Sequence, residues 1–470
     1  MAISAIKCLA KCWKLWWDYP CFTVVIYLLF NYSAQPLKTE EDFQHFELRL
    51  KKVSASIDSS IKLLEQGIND KVTLNEATVD KFVKFLAQLT GADIASHMFN
   101  RRDELNTLGK AFAFDEIILN SVNPALEKLR TFLDTTYRPH CRTSFGIFDL
   151  PDSQKVYQEL IYSQTTTRYT AAELHELGLK EVERIKARME QVKDLIYVGP
   201  LADFRKDLND SEKFPEARLP REKVIPFVEE LLKGIDEKLP KLFSSFPAAK
   251  CQVKAVDAAL EDVNPMAYYD LTKAEFYVNL KLCDNEPLYT LTALVLHEAN
   301  PGHHHQIALQ KEKPSSHLVE QLSLMTSYVE GWGLYSEYLG EVELAVYKDA
   351  LALYGRLELE MVRAVRLVVD TGLHGFGWDY EKSLAYFLEN VSTLGESAAI
   401  SEIHRYSNNP GQALAYKVGE LKILELRKYA QEALRSQFDI KEFHRVVLAN
   451  GSIPLDRLEL FVREWVDTTL

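Results

Sequence analysis

Apolar residues along most of the chain recur every three or four positions, which is the spacing of a helix that buries one face. This spacing predicts helices over residues 46–64, 74–91, 121–135 and 171–198. Two shorter runs, residues 251–256 and 275–280, have the apolar composition of strands. The pattern therefore predicts a mainly α fold with a small β-element.

A further apolar run at residues 291–296 predicts a buried helix that ends in His297 and Glu298. Many zinc hydrolases carry His-Glu-x-x-His on one helix, with the two histidines as metal ligands and the glutamate as general base. Here Pro301 occupies the place of the second histidine. A proline followed by Gly302 interrupts a helix, so the strict pattern fails at this point.

The interruption decides which later histidine can reach His297. On an unbroken helix, His304 shares the face of His297 but lies two turns, about 10 Å, along the axis. That distance is too long for two imidazoles to share one ion with bonds of about 2 Å. A kink that absorbs two residues brings His303 to the place of the second histidine. We expect His297 and His303 to ligate a metal, with His304 as the reserve candidate.

The run His-Glu-x-x-Pro-Gly-His-His-x-Gln, residues 297–306, resembles the signature of the DUF 885 family, a group placed among the gluzincin-like metallopeptidases. Two later blocks, residues 327–337 and 402–419, are similar to further motifs of that family in the same order. The resemblance covers roughly residues 40 to 470. It implies a multi-helix zinc-peptidase-like fold, with a small β-element beside the active-site helix and one Zn²⁺ per chain.

The third ligand of gluzincins is a glutamate on a later helix, and the resemblance gives this role to Glu330, 27 positions after His303. Residues 317–344 predict one long helix, on which Glu330 and Glu337 share a stripe with glycines and aromatic residues nearby. Such a stripe is typical of a buried face, where a carboxylate favours a cation beside it. Glu337 is the candidate that orients a ligand histidine. The ligand set also suits Mn²⁺, Co²⁺ or Fe²⁺.

The third block and the second predicted strand supply candidates for substrate binding. The hydroxyl of Tyr406 or Tyr416 is expected to stabilise the oxyanion, although both side chains also suit a packed core. Similarity of residues 403–406 to the thermostable carboxypeptidases implies that Arg405 binds the free carboxylate of the substrate, and a salt-bridged core arginine is the alternative. In zinc peptidases an edge strand before the metal helix commonly pairs with the substrate backbone. That makes Asn279 a candidate contact, with turn capping as an equal alternative.

These residues together predict zinc-dependent hydrolysis of peptide bonds in short peptides, carboxypeptidase-like, with Glu298 taking a proton from a metal-activated water. Family members usually carry an additional helical segment before the region that begins here near Thr39. An inactive helical metal-binding module is therefore one alternative. The others are a metal-dependent amidase or esterase on a non-peptide substrate, and a membrane-attached protein whose histidines buffer or sense metal.

Length and charge add limits to this interpretation. The 470 residues, 47% of them hydrophobic, are ample for a sizeable core. A net charge of −13 without a basic cluster argues against nucleic acid as a partner. We expect a helical lobe over residues 39–247 and a metal-site lobe over residues 248–470, folding as one cooperative unit.

Residues 1–38 differ from the rest of the chain. Three lysines precede an apolar run of about 14 residues, which is short of the ~20 that span a bilayer. The segment suits a signal peptide, a membrane anchor or a disordered start, and residues 16–32 are the candidate for membrane association. We expect entry into the secretory pathway and an extracellular or membrane-anchored protein, with a cytoplasmic protein as the alternative.

Overall fold

Helices provide almost all of the regular structure and a three-stranded sheet provides the rest, which confirms the predicted fold class. The structure is a computed structural model, and it describes seven parts of the chain. These are residues 35–208, 210, 212–258, 261, 265–281, 288–313 and 324–470. The predicted signal or anchor segment lies outside the described residues, apart from residues 35–38.

Contacts between residues divide the described chain into two compact units. The first unit comprises residues 35–156 and 377–379, and the second comprises residues 157–376 and 380–470. The boundary expected near residue 247 falls inside the second unit. Every residue predicted for the metal site belongs to the second unit.

The first unit is built from amphipathic helices. They are α1 Glu40–Lys51, α2 Val53–Asn69, α3 Glu76–Gly91, α4 Arg102–Thr107, α5 Asp115–Ile117 and α6 Asn123–Thr131, with π-helical turns Ile118–Val122 and Phe132–Tyr137 flanking α6. Thr39 caps α1, since its hydroxyl accepts the N–H of Asp42 while the Asp42 carboxylate accepts the N–H of Thr39. Phe46 and Leu50 face the core of this unit and are fully buried.

The second unit contains the longest helices. They are α7 Ser153–Thr165 (mostly in this unit), α8 Ala171–Lys193, α9 Leu201–Leu208, α10 Arg221–Asp236, α11 Leu291–Glu298, α12 His303–Glu312, α13 Thr326–Val342, α14 Ala350–Gly375, α15 Tyr380–Asn390, α16 Glu396–Asn408, α17 Ala415–Leu434, α18 Ile440–Leu448 and α19 Leu455–Thr469. Helix α14 is buried on nearly all sides, α8 packs along it, and α13 packs along α17. Helix α13 corresponds to the helix predicted over residues 317–344, of which residues 317–323 lie outside the description.

The sheet lies in the chain between α10 and α11. Its strands are β1 Gln252–Ala255, β2 Ala267–Asp270 and β3 Glu275–Val278, in the order β1-β3-β2. Strand β1 is parallel to β3, and β2 is antiparallel to β3. Strands β1 and β3 match the two predicted runs, whereas β2 was not predicted. The expectation of an edge strand over residues 275–280 is wrong, because β3 is central and β2 is an edge strand among the described residues.

The described helices differ from membrane-spanning helices in length or in apolar character. Crossing a membrane takes an apolar helix of about 20 residues. None of the helices in the described parts of the chain is both long and apolar enough to meet that requirement.

Candidate metal centre

The break between α11 and α12 brings two histidines together. Helix α11 ends at Glu298 and α12 begins at His303. Between them the chain passes so close to the end of α11 that a Cβ on Gly302 would lie 1.8 Å from the carbonyl oxygen of His297, and no side chain fits there. The imidazole rings of His297 and His303 lie 4.6 Å apart, edge to face. The break therefore places the histidine at the end of α11 beside the histidine at the start of α12.

The reserve candidate, His304, points elsewhere. Its Nδ1 lies 3.1 Å from the hydroxyl of Tyr269, and its Nε2 lies 3.0 Å from the carbonyl oxygen of Ala249. Both ring nitrogens therefore have protein partners. His305 is fully buried against the rings of Phe243 and Phe246, so it is also outside the group.

Glu330 joins the two histidines from α13. Its Oε2 lies 3.3 Å from the Nε2 of His297 and 3.6 Å from the Nε2 of His303. One ligand atom from each of the three residues lies within 4.8 Å of the others. Ligand atoms bound tetrahedrally at about 2 Å from Zn²⁺ are separated by roughly 3.3 Å, so this donor set fits a zinc ion. Within the described residues, this is the group of histidine, cysteine and acidic side chains that is close enough to hold a metal.

Glu337 orients His297 from one side. Its Oε1 lies 2.8 Å from the Nδ1 of His297, and both side chains are almost fully buried. A carboxylate that accepts the Nδ1–H leaves the Nε2 of the ring free for a metal. Gly333 makes this approach of the ring to α13 possible, since a Cβ there would lie 2.5 Å from the Cε1 of His297. The glycines of α13 therefore serve close packing, as the buried stripe implied.

The charges of the group favour a cation. Burial by itself would lower the pKa of His297, but its contacts with Glu330 and Glu337 raise that pKa to about 9. Burial would likewise raise the pKa of Glu330, yet the hydrogen bonds of His297 and His303 hold it well below the ordinary value. The carboxylates therefore favour a proton on the His297 ring, and the guanidinium of Arg363 adds a second positive charge 3.9 Å from the Oε1 of Glu337. A divalent ion at the same place would replace that proton.

Glu298 stands between the two histidines and the sheet. Its Oε2 accepts the backbone N–H of Tyr269 at 3.1 Å and lies 4.0 Å from the Nε2 of His303. The N–H of Asn279 donates to the carbonyl of Met266, and along an antiparallel pair the opposed residues alternate between hydrogen-bonded and non-hydrogen-bonded pairs. In this register Tyr269 belongs to a non-hydrogen-bonded pair, so its N–H points away from β3. The free edge of β2 therefore borders the carboxylate predicted as general base.

Asn279 does not lie at that edge. It is fully buried, its Nδ2 donates to the carbonyl of Glu261 at 2.7 Å, and its Oδ1 accepts the N–H of Lys281 at 3.2 Å. These contacts match the turn-capping alternative. The predicted role of Asn279 in substrate binding is corrected accordingly, because a side chain with these partners is not open to a substrate.

Tyr416 lies beside the group, in the first turn of α17. The main chains of α13 and α17 touch here, since a Cβ on Gly331 would lie 2.5 Å from the backbone of Gly419. Because Glu330 precedes Gly331 and Tyr416 lies one turn before Gly419, this contact brings together the two turns that carry Glu330 and Tyr416. Burial and then the charge of Glu330 raise the pKa of the Tyr416 phenol, while Arg366 acts in the opposite direction. The side chain of Tyr416 is partly exposed.

Tyr406 and Arg405 have other partners. The hydroxyl of Tyr406, which is 1% exposed, donates to Glu402 at 2.5 Å and accepts from the Nε of Arg366 at 3.1 Å. Each of the three nitrogens of the Arg405 guanidinium donates to Glu402 or Gln412. The contacts of Arg405 match the salt-bridged alternative, and Tyr416 is the tyrosine whose phenol is affected by the charge of Glu330.

Sequence reasoning missed Tyr269, Gly333 as a close-contact residue of His297, and Arg366. The first depends on strand register, and the other two depend on which helix faces pack together. The glycine at position 333 inside a helix was a signal of close packing, but not of its partner. Nothing in the sequence around Arg366 distinguishes it from the other arginines of α14.

Comparisons with known proteins agree with this fold. A crystal structure of a proposed lipoprotein from Colwellia psychrerythraea has 29% sequence identity and a TM-score of 0.87, over 93% of this chain and 78% of that chain. A proposed lipoprotein of unknown function from Shewanella oneidensis has 16% identity and a TM-score of 0.61, over 91% of this chain and 78% of that chain, and that likeness shows the fold alone. Comparison with curated proteins gave no match.

The three sequence blocks that suggested a family can be checked against a profile of that family. The profile described as "Bacterial protein of unknown function (DUF885)" matches residues 17–462. The match spans the break between α11 and α12, helix α13 and the start of α17. The chain therefore belongs to the DUF885 family.

Proposed function

We propose that this protein is a zinc-dependent peptidase that hydrolyses short peptides, in the manner of the gluzincin metallopeptidases. The observation that carries the proposal is the convergence of His297, His303 and Glu330, with the carboxylate of Glu298 beside them. Two histidines and a glutamate are a ligand set of zinc peptidases, in which the fourth position remains open to water. The partial exposure of Glu330 is consistent with an opening on that side.

His297, His303 and Glu330 would hold the ion, and Glu337 would fix the ring of His297. A bound Zn²⁺ supplies Lewis-acid activation of a water and of the substrate carbonyl. The hydrogen bond from His297 to Glu337 keeps the ligand nitrogen in place during turnover. The remaining steps belong to other residues of the chain.

Glu298 acts as the general base. Its carboxylate is held by the N–H of Tyr269, is 16% exposed and lies next to His303, so it can accept a proton from a water at the ligand group. The same carboxyl then passes this proton to the leaving amine. Tyr416 donates its hydroxyl hydrogen bond to the oxygen that becomes negative as the carbonyl is attacked.

The edge of β2 suits an extended substrate. Glu298 holds the N–H of Tyr269 on this edge, and the edge of a sheet is where an extended peptide adds as a further strand. A peptide added to β2 would run past Glu298, beside the ligand group. This arrangement favours flexible short peptides over folded proteins, since a folded chain does not present a free strand there.

We also propose that the protein is secreted or membrane-anchored. Both solved structures reported above are described as those of proposed lipoproteins, and the apolar run over residues 16–32 agrees with export. Fractionation of cells that express the full chain tests this proposal. Recovery of the whole protein in the cytosol, with its N-terminus uncleaved, would oppose it.

The test of the peptidase proposal combines metal analysis with a substrate screen. Wild type purified without added metal should carry about one zinc per chain, and His297→Ala should lose it. Glu298→Gln should keep the zinc and lose nearly all hydrolysis of a short-peptide pool, followed by mass spectrometry. Glu176→Gln, a change at an exposed salt-bridged glutamate of α8, is the matched control and should behave as wild type.

The outcomes separate the alternatives. Zinc without hydrolysis of any peptide would support an inactive metal-binding module. Zinc with hydrolysis of non-peptide amides or esters alone, lost in Glu298→Gln, would support the amidase or esterase. Absence of metal from folded wild type, even after zinc is supplied, would overturn the proposal.

A further inference from the structure

Tyr416 is held on one side by a closed group of three residues from α14 and α16. The guanidinium carbon of Arg366 lies 4.5 Å from the centre of the Tyr416 ring. The same guanidinium donates from its Nη2 to the Oε2 of Glu402 at 2.9 Å and from its Nε to the hydroxyl of Tyr406 at 3.1 Å. Tyr406 in turn donates to that oxygen of Glu402 at 2.5 Å. Each member of the group is therefore fixed by the other two.

The group is largely removed from water. The exposed fractions are 11% for the side chain of Arg366 and 19% for that of Glu402, and Tyr406 is almost completely buried. The Nη1 of Arg366 is buried and has no hydrogen-bond acceptor. A guanidinium with a nitrogen left over is attracted to the negative face of an aromatic ring, and this attraction grows as water is excluded. The face of the Tyr416 ring supplies that surface.

Tyr416 needs such support because of where it stands. It lies in the first turn of α17, directly after the short helix Gln412–Leu414, and its side chain is partly exposed. The contact between Gly331 and Gly419 sets the position of the α17 backbone, but it leaves the rotamer of the phenol open. Two side chains restrict that freedom: Gln412 hydrogen-bonds the Tyr416 hydroxyl, and the guanidinium of Arg366 covers the face of the ring.

We propose that Arg366, held by Glu402 and Tyr406, is a positioning residue that fixes the Tyr416 ring beside the metal ligands. The inference rests on the proposed function, in which the Tyr416 hydroxyl stabilises the oxyanion. The sequence made the hydroxyls of Tyr406 and Tyr416 equal candidates for that role. In this proposal Tyr406 instead supports Tyr416 through Arg366. Arg366 acts through Tyr416 and does not touch the substrate.

A double-mutant cycle tests the assignment. Arg366→Met should lower kcat for peptide hydrolysis by about 10- to 100-fold with little change in KM, because a displacement of about 1 Å at a catalytic group has effects of that size. In a Tyr416→Phe background the same substitution should cause no further loss of kcat. An equal loss in both backgrounds would overturn the proposal. Arg366→Lys, which keeps the charge paired with Glu402 but loses the planar stack, covers the case in which Arg366→Met does not fold, and it should show an intermediate kcat.

Arg427→Met is the matched control. Arg427 is also a buried arginine that pairs with a glutamate, Glu343, and donates to a tyrosine hydroxyl, that of Tyr335 at 3.3 Å, but it is not in contact with Tyr416. Its loss should alter stability as much as the loss of Arg366, without lowering kcat. If kcat falls in both Arg366→Met and Arg427→Met, the effect of Arg366 is explained by general destabilisation, and the assignment is refuted.

A second readout does not require activity. The dissociation constant of acetohydroxamate for the cobalt-substituted protein, measured by visible absorption, should rise in Tyr416→Phe and in Arg366→Met but not in Arg427→Met. If wild type hydrolyses no peptide, the peptidase proposal fails while this cycle still decides the role of Arg366. A dissociation constant that is unchanged by either substitution would overturn the role of Arg366 even in an active enzyme.

Discussion

Gly333→Ala separates the effect of a substitution on the proposed metal site from its effect on the stability of α13, the helix that carries Glu330. A Cβ at position 333 would lie 2.5 Å from the Cε1 and 2.7 Å from the Nε2 of His297, and an ordinary contact begins at 3.4 Å. The imidazole would therefore have to move by about 0.9 Å, whereas metal–ligand distances tolerate about 0.2 Å. Since displacing an orienting contact of a ligand costs 10- to 100-fold in metal affinity, we expect zinc affinity to fall about 100-fold.

The helix propensity of alanine partly compensates the effect of this strain on the free energy of unfolding. Alanine is more favourable than glycine inside a helix by about 1 kcal/mol, which offsets part of the strain at His297. Zinc affinity is measured by competition with a chromophoric chelator, and stability by urea unfolding of the metal-free protein. Gly234→Ala in α10, where the added Cβ has nothing within 4 Å, is the control and should gain stability without a change in affinity. A Gly333→Ala protein that binds zinc within threefold of wild type would refute the reasoning.

Three further outcomes are expected. Glu337→Gln should lower zinc affinity about 10-fold, measured by the same competition, because the Nδ1–H of His297 keeps an acceptor but loses its charge. Gly419→Ala should destabilise the protein by about 3 kcal/mol in urea unfolding, since the new Cβ would lie 1.9 Å from the backbone oxygen of Ser327. Asp370→Asn should flatten the dependence of Tm on pH. Burial raises the pKa of Asp370 from 3.8 to about 7, so the stability that its proton contributes is complete below about pH 4 and is lost as the pH rises through 7. A Tm that falls equally in wild type and Asp370→Asn would contradict this assignment.

The sequence predicted the helical fold and the residues that the structure brings together at the candidate site. Local chemistry explains this success, because a proline four positions after His297 must interrupt the helix and thereby select His303 over His304. Helical spacing placed Glu330 and Glu337 on one stripe of the same helix, and the resemblance to a known family named Glu330 as the third ligand. The inferences from proline and from helical spacing need only neighbours along one helix or across one break.

The remaining features depend on tertiary packing. The sequence does not distinguish Tyr406 from Tyr416, whereas the structure buries Tyr406 against Glu402 and Arg366 and leaves Tyr416 partly exposed. The role expected of Arg405 stays a prediction, and the structure adds that its guanidinium pairs with Glu402, one turn away on the same helix. Strand β2 has the sequence Ala-Tyr-Tyr-Asp, in which apolar and polar residues do not alternate, so the edge next to Glu298 was assigned to the wrong strand.

The contact between the main chains of α13 and α17 has a consequence for engineering. The spacing of the two turns that carry Glu330 and Tyr416 is set there by backbone atoms, without intervening side chains. Side chains on these two turns can therefore be exchanged while their separation is retained. Glu330→His would convert the ligand set to three imidazoles and shift metal preference, with Tyr416 still in place. The pair of helices α13 and α17 is thus a scaffold in which the backbone keeps its spacing while the side chains at the site are substituted.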